Sequence, residues 1–238
     1  MIRAVVFDFG QTLVDSAGGF RAAEKQLQAR LLAELPGTAP EAFLEHYRRQ
    51  RSEFQRQSDF SRKALSQAVL EHYGRESDPA AIEVWETDYW ETVRGNTREF
   101  PEARGALRNL KKSFSLGLVT NTQGQGKAGT HRLRDFPELI ACFDAVVVAG
   151  EAGVPEKPAP GPFRMCLDQL GCSPREAVYV GDDWRIDLCG AREAGMNAVW
   201  LRHRSTRRNW PTADNEFPII GSLDELAQIP WLLENEPT

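Results

Sequence analysis

Side chains that could do chemistry cluster just beyond the apolar runs of this 238-residue sequence. In an open parallel sheet, ligands bind beyond the carboxyl ends of the strands, so residues at those ends are expected to converge on one edge. The set combines carboxylates, a hydroxyl, an amide and a lysine. Its members are Asp8, Thr120, Asn121, Lys157, Asp182 and Asp187.

These residue types indicate phosphoryl chemistry with a hard cation. Three neighbouring acids repel one another unless a cation lies among them. Oxygen ligands favour Mg²⁺, which proteins hold through a few carboxylates together with phosphate and water. An aspartate can be a covalent nucleophile towards phosphorus, and lysine and hydroxyl groups can stabilise the transition state. Taken singly, Asp187 could cap a helix, Thr120-Asn121 could form a turn, and Lys157 could be solvated.

Short β-branched runs alternate with stretches of helical length in most of the chain. Near-continuous apolar runs of this kind are typical of strands buried on both faces, and their alternation with helices predicts a doubly wound, mostly parallel, Rossmann-like α/β sheet. Strands are predicted at 2–7, 116–120, 145–148, 177–180, 198–201 and 219–220. Helices are predicted at 102–112, 162–170, 187–194 and 222–229.

Residues 16–96 interrupt this alternation and contain no strand-like run. Four apolar stripes at helical spacing predict a four-helix unit whose aromatic side chains form a core. The stripes are Phe20, Leu27, Leu31 and Leu35; Phe43, Tyr47 and Phe54; Leu65, Val69 and Tyr73; and Ile82, Trp85, Tyr89 and Val93. The predicted domains are therefore an α/β core of residues 1–15 and 97–238 and a helical insert of residues 16–96.

The composition excludes several classes of function. With 34 acidic and 29 basic residues, the chain lacks the basic footprint of a nucleic-acid binder. No apolar run reaches the length of a membrane span, and the first seven residues are too short for a secretory signal. The four scattered cysteines are expected to be reduced and mostly buried in a cytoplasmic protein. A small phosphorylated substrate is the expected partner, and the chain is expected to be a monomer or a homodimer.

Four motifs, in order, and an insert after the first strand resemble the haloacid dehalogenase superfamily, in its subgroup with a helical cap. The resemblance covers nearly the whole chain. The nucleophile position of that family falls on Asp8, within residues 7–13. Its hydroxyl motif falls on Thr120, its lysine on Lys157, and its acidic motif on Asp182 and Asp187.

The resemblance implies a Mg²⁺-dependent phosphohydrolase that forms an aspartyl phosphate on Asp8. It implies that Lys157 neutralises Asp8 and a phosphoryl oxygen, and that Thr120 and the Asn121 backbone bind another phosphoryl oxygen. The inserted helices would then be a cap that closes over the site and selects the substrate. The implied metal ligands are Asp8, the Gly10 carbonyl, Asp182 and Asp187, the last directly or through water.

Gly10 departs from the family pattern, in which phosphatases usually carry a general acid and base two residues after the nucleophile. Such help is typically worth about 10²–10⁴-fold in rate. One interpretation is a slow or specialised phosphohydrolase, which either uses leaving groups that need little protonation, such as acyl phosphates, or relies on another group as the acid. A second is a phosphonate hydrolase, which in this family forms a Schiff base with a cap lysine, here Lys25 or Lys63. A third is a dehalogenase, but the retained Asp182 counts against it. A fourth is a non-catalytic phosphate-binding or regulatory protein.

Features near the acidic motif carry weaker indications. Asp183 either hydrogen-bonds a metal-bound water or caps the following helix. Trp184 and Arg185 could touch substrate, but loop packing is favoured for both. The basic run at 202–208 could bind an anion, and a solvated face is the favoured interpretation.

Overall fold

The chain forms two compact units in a computed structural model that describes residues 1–57, 59, 61–122, 132–204 and 216–229. The first unit comprises Met1–Asp15, Arg98–Thr122 and the described residues after His131. The second comprises Ser16–Thr97.

The first unit is built on a six-stranded sheet in which every neighbouring pair is parallel. The strands are β1 (Ala4–Phe7), β4 (Ser115–Asn121), β5 (Ala145–Ala149), β6 (Ala177–Gly181), β7 (Asn197–Leu201) and β8 (Ile219–Ile220). Their order in the sheet is β5-β4-β1-β6-β7-β8, which confirms the predicted doubly wound α/β class.

Side chains of each central strand alternate between two cores, one on each face of the sheet. In β1, Val5 and Phe7 belong to one cluster, and Ala4 and Val6 belong to the other. Both clusters are buried, which explains why the strands read as continuous apolar runs rather than as alternating ones. Helices cover the faces: α5 (Ala103–Leu110), α6 (Pro137–Ile140), α7 (Pro160–Leu170) and α8 (Gly190–Glu193).

The segment after β6 differs from its predicted helix at 187–194. Asp183 starts a π-helical turn over Trp184–Cys189, which runs into the short α8. The cap therefore lies four residues before Asp187, which sits inside the turn. The predicted closing helix is a 3₁₀ helix over Leu223–Gln228.

A two-stranded antiparallel ribbon was not predicted. It pairs β2 (Val14–Asp15) with β3 (Arg98–Glu99), so that Asp15 lies opposite Arg98. Strands of two residues have no periodicity to detect, and their partners are far apart in the sequence. The ribbon holds the two ends of the helical insert side by side.

The second unit consists of four helices, as predicted: α1 (Ala17–Ala33), α2 (Pro40–Arg56), α3 (Arg62–His72) and α4 (Pro79–Gly95). Every residue of the four predicted stripes is either buried in one cluster or packed against it. Asp78 caps α4 ahead of Pro79, because its carboxylate accepts the Ala80 amide proton.

The bundle also contains a buried carboxylate, Glu24, which the pattern of apolar residues did not predict. Glu24 accepts hydrogen bonds from the hydroxyls of Tyr47 (2.7 Å) and Tyr89 (2.9 Å), and it pairs with Arg62 (3.0 Å). Burial alone would raise the pKa of Glu24, but Arg62 and Arg51 outweigh it and lower the pKa below its ordinary value. The charge is therefore compensated and ties α1 to the other three helices.

The cysteines and the helix lengths bear on two further expectations. All four cysteines are free, but only Cys166 is fully buried, so the prediction that most are buried is wrong. Over the part of the chain that the structure describes, no helix combines the length and apolar character needed to cross a bilayer.

We expect the helical unit to be sensitive to acid through His46. Its buried ring stacks on His72 at 3.7 Å, and its Nδ1 lies 3.0 Å from the Arg49 guanidinium. Burial, His72 and Arg49 lower the pKa of His46 below its ordinary value of 6.5. Between about pH 7.5 and about 5.5, the unfolded chain therefore gains a proton that the folded chain resists, and the free energy of unfolding falls as the pH falls.

Urea denaturation of the wild type and of His46→Gln at both pH values measures this effect. Glutamine cannot take up the proton, so the variant should lose less stability on acidification than the wild type. An equal loss in both proteins would show that His46 is not responsible.

Candidate active site

The candidate site lies at the carboxyl edge of the sheet, around its central strand. Asp8 follows β1, which lies between β4 and β6. Thr120 and Asn121 end β4, and Gly181 at the end of β6 leads into Asp182. Parallel pairing therefore brings all these residues to the same edge, as the sequence predicts.

Lys157 joins the parts of the site. Its Nζ donates hydrogen bonds to Asp8 Oδ1 (2.7 Å), to Asp187 Oδ1 (2.7 Å) and to the Tyr179 hydroxyl (2.8 Å). The residue is only 1% exposed. All three protons of the ammonium group therefore have partners, which is the condition for burying such a charge.

The Asn121 side chain positions the backbone of Lys157. Its Nδ2 donates to the Lys157 carbonyl (3.1 Å), and its Oδ1 accepts from the Lys157 amide (2.9 Å). The sequence predicted that the Asn121 backbone binds phosphate, but it did not predict this role of the side chain. The amide thus fixes the lysine loop against the end of β4.

Close packing between β6 and the following turn places Asp187. Its Oδ2 accepts the Asp183 amide proton at 2.9 Å. A Cβ atom on Gly181 would lie 2.6 Å from the Asp187 carboxylate, so only glycine permits this approach. The Asp183 carboxylate accepts the amide protons of Arg185 and Ile186, so it caps the following turn.

Three buried carboxylates converge beside the lysine. Asp8, Asp182 and Asp187 each offer an oxygen, and these oxygens lie within 4.8 Å of one another. Lys157 supplies one positive charge, which it shares between Asp8 and Asp187. An oxygen-only donor set with excess negative charge fits Mg²⁺.

The electrostatics of the site favour a charged lysine and a readily protonated Asp8. Burial raises the pKa of Asp8 to about 6; Lys157 opposes this rise and Asp187 adds to it. Burial alone would lower the pKa of Lys157, but Asp187 and Asp8 hold it above its ordinary value. Additional positive charge in the site would therefore favour the ionised form of Asp8 that a nucleophile requires.

The loop after Asp8 is tight. Gln11 is buried with φ of 63°, a left-handed conformation that is strained for a residue with a side chain. Its amide donates to the Val14 carbonyl at 2.7 Å, and Gly10 forms a backbone bridge with Val14. The Gly10 carbonyl is thus part of a fixed turn beginning two residues beyond Asp8.

The structure brings Asp8, Lys157, Asp182 and Asp187 into one group, with Thr120 and Asn121 at the end of the adjacent strand. Thr120 is buried and lies opposite Val148 in the sheet register. Tyr179 is the residue that sequence reasoning missed. The available signal was a phenol within an apolar strand, since a buried tyrosine hydroxyl usually has a hydrogen-bond partner.

Trp184, one of the weaker candidates near the acidic motif, packs against aromatic neighbours. Trp184 lies 5.0 Å from the Trp200 ring and 5.1 Å from the Phe217 ring. Arg185 is exposed. Of the basic run, residues 205–208 lie outside the described residues; His203 bonds Glu102 and stacks on Phe100.

Neither lysine suggested for a Schiff base has the buried environment of an activated amine. Lys25 is exposed on α1. Lys63 pairs with Glu83 at 3.0 Å, and the two side chains are 42% and 47% exposed. The helical unit therefore provides no support for phosphonate hydrolysis through either residue.

Comparisons with known proteins agree with these motifs. A family model described as haloacid dehalogenase-like hydrolase matches residues 2–195. The chain is 29% identical to a glyceraldehyde 3-phosphate phosphatase of Methanothermobacter thermautotrophicus, over 98% of this chain and 100% of that one.

Solved structures share the fold. A 2-haloacid dehalogenase of Pseudomonas syringae pv. Tomato DC3000 is 28% identical, with a TM-score of 0.63 and coverage of 98% of this chain and 99% of that one. The HAD-hydrolase YfnB of Bacillus subtilis, bound to magnesium, is 23% identical, with a TM-score of 0.69 and coverage of 95% and 97%.

We expect Lys157→Met to destabilise the protein by about 3 kcal/mol in EDTA, because it leaves buried carboxylates without their cation. The matched control is Lys111→Met. Lys111 also pairs with an aspartate at 2.9 Å, but on the surface, where such a pair contributes about 1 kcal/mol or less. Urea denaturation measures both, and equal losses would contradict the proposed charge balance.

Proposed function

The chain belongs to the haloacid dehalogenase-like hydrolases, and on that premise we propose that it hydrolyses a small phosphorylated metabolite through an aspartyl-phosphate intermediate. The observation that carries the proposal is the contact between Lys157 and Asp8 (2.7 Å), with two further buried carboxylates alongside. A carboxylate held by an ammonium group at the centre of a sheet edge is suited to attack phosphorus.

In the proposed reaction, Lys157 orients Asp8 by binding Oδ1, and the other carboxylate oxygen forms a bond to phosphorus. The bond from phosphorus to the leaving oxygen breaks, and that oxygen departs with the electron pair. Water then attacks the phosphorus, and the bond between phosphorus and the Asp8 oxygen breaks. Inorganic phosphate leaves with both protons of the water, and the Asp8 carboxylate is restored. Thr120 and the Asn121 backbone are proposed to hold a phosphoryl oxygen during both steps.

Asp8, Asp182, Asp187 and the Gly10 carbonyl are the proposed ligands for Mg²⁺. The ion, when bound, supplies charge neutralisation for the carboxylates and the phosphoryl oxygens. Support comes from the donor set, which is entirely oxygen and carries more negative charge than Lys157 balances.

Gly10 narrows the proposed substrates. No side chain at this position can give a proton to the leaving oxygen or take one from water. Leaving groups that depart without protonation should therefore react best, and acyl phosphates belong to this class. Phosphate esters of simple alcohols should react slowly, because an alkoxide is a poor leaving group without a proton.

Dehalogenation is the second candidate, because the Pseudomonas syringae structure at 28% identity is a 2-haloacid dehalogenase and Gly10 provides no acid. In that reaction Asp8 would attack carbon and displace halide. The cluster of three buried carboxylates argues for the phosphatase, since attack on carbon gives no reason to bring extra negative charge together.

We also propose a cellular location and a binding partner for the enzyme. Four free cysteines are consistent with a reducing cytoplasm. The net charge of −5 speaks against nucleic acid as a partner. A free small-molecule substrate, admitted and selected by the helical unit acting as a cap, is the proposed partner.

The first test is an array of acyl phosphates, phosphate esters, phosphonates and 2-haloacids, assayed with Mg²⁺ and with EDTA. We expect phosphate release with Mg²⁺, and Asp8→Asn should reduce it at least about 10³-fold because the nucleophile is lost. Asp144→Asn is the control and should retain activity, since the Asp144 carboxylate pairs with Lys111 at the surface (2.9 Å), beside the start of β4 rather than its carboxyl end.

Other patterns in the array would contradict the proposal. Metal-independent halide release would identify a dehalogenase. If no phosphate were released from any phosphorylated compound while calorimetry detected Mg²⁺ binding, the result would indicate a non-catalytic phosphate-binding protein.

The second test restores the missing acid. We expect Gly10→Asp to raise kcat for alkyl phosphates by about 10²-fold or more, with little effect on acyl phosphates, because only the former need a proton on the leaving group. Gly10→Asn has a similar shape without the acid and is the matched control. Equal effects of the two variants would show that loop geometry, rather than proton transfer, limits the rate.

A further inference from the structure

We propose that Tyr179 is a positioning residue, whose hydroxyl fixes the ammonium group of Lys157 against Asp8; its catalytic consequence rests on the proposed function. Tyr179 belongs to none of the four sequence motifs that form the site. It lies in the middle of β6, two residues before Gly181.

The Tyr179 ring is enclosed by core side chains. The residue is 0% exposed and belongs to the core on one face of the sheet. Its ring meets Phe163 edge to face, with centroids 5.0 Å apart. The hydroxyl is therefore held at a fixed point, which is what a positioning group requires.

The hydrogen-bond pattern defines the direction of each proton. An ammonium group can only donate, so the Tyr179 oxygen accepts from Lys157 Nζ at 2.8 Å. Its own proton then goes to the Val119 carbonyl at 2.9 Å, which is shorter than the 3.3 Å to Asp187 Oδ1. The phenol thus links the lysine to the backbone of β4, which is separated from β6 by the central strand β1.

Tyr179 differs from the other two acceptors because its charge does not change in the proposed reaction. Asp8 gives up its negative charge when it bonds to phosphorus, and Asp187 is a proposed metal ligand. The loss of charge on Asp8 and the binding of a metal by Asp187 would each weaken the attraction between that carboxylate and the ammonium group. The neutral hydroxyl keeps one N–H bond throughout, so Lys157 stays aligned while its partners change.

Tyr179→Phe tests this role, since it removes the hydroxyl and keeps the ring. We expect kcat to fall about 10–100-fold, the range found when a partner that orients a functional group is lost, while KM stays within about twofold. Tyr47→Phe is the matched control: it removes a buried hydroxyl that donates at 2.7 Å to Glu24 within the helical bundle. It should lower the melting temperature comparably and leave kcat within about twofold.

A second readout does not depend on activity. In ¹⁵N-labelled protein, the buried Lys157 ammonium should give a slowly exchanging NMR signal that is absent in Lys157→Met. In Tyr179→Phe this signal should shift, and its protons should exchange with water at least about tenfold faster. Tyr47→Phe should leave it unchanged.

The two readouts separate failure of this inference from failure of the proposed function. If the wild type releases no phosphate from any compound, the proposed function is wrong, and the ammonium signal alone decides the role of Tyr179. An unchanged signal in Tyr179→Phe overturns that role in either case. With an active wild type, a kcat within about threefold of the wild-type value also overturns it.

Discussion

The structure of the site depends on one buried cation, the Lys157 ammonium, which lies 2.7 Å from both Asp8 and Asp187. Two buried carboxylates from different strand ends would repel each other strongly without it. The lysine side chain therefore joins the loop after β1 to the turn after β6. The Asn121 side chain, at the end of β4, binds the backbone of Lys157 and so ties the lysine loop to β4. Lys157, through its side chain and its backbone, thus holds three parts of the sheet edge together.

The site is well provided with fixed charges and poorly provided with groups that move protons. Lys157 offers positive charge to a phosphoryl group, and the three acids offer oxygen ligands to a cation, but Gly10 leaves the position two residues beyond the nucleophile without an acid. Electrostatic stabilisation is usually the largest single contribution to catalysis, so a site of this kind still functions where the leaving group needs little help. The proposed preference for acyl phosphates follows from this division.

Much of the fold and the central group of the site followed from local sequence patterns. Buried strands and helical stripes have a periodicity that survives in one sequence, and strand ends in a parallel sheet must share an edge. The π-helical turn at Trp184–Cys189 and the β2–β3 ribbon depend on tertiary contacts, so they were missed. Tyr179 was missed because its apolar neighbours made it look like core, and only the position of Lys157 gives its hydroxyl a purpose.

The β2–β3 ribbon makes the helical insert, in topological terms, a loop closed at its base. Since Asp15 and Arg98 are paired, the main chain leaves the core and returns to it at the same place. The length of a closed insertion affects the entropy of folding only weakly, and β1 and Asp8 need not shift when the insert changes. Evolution can therefore exchange the inserted helices while the chemistry at the sheet edge is preserved.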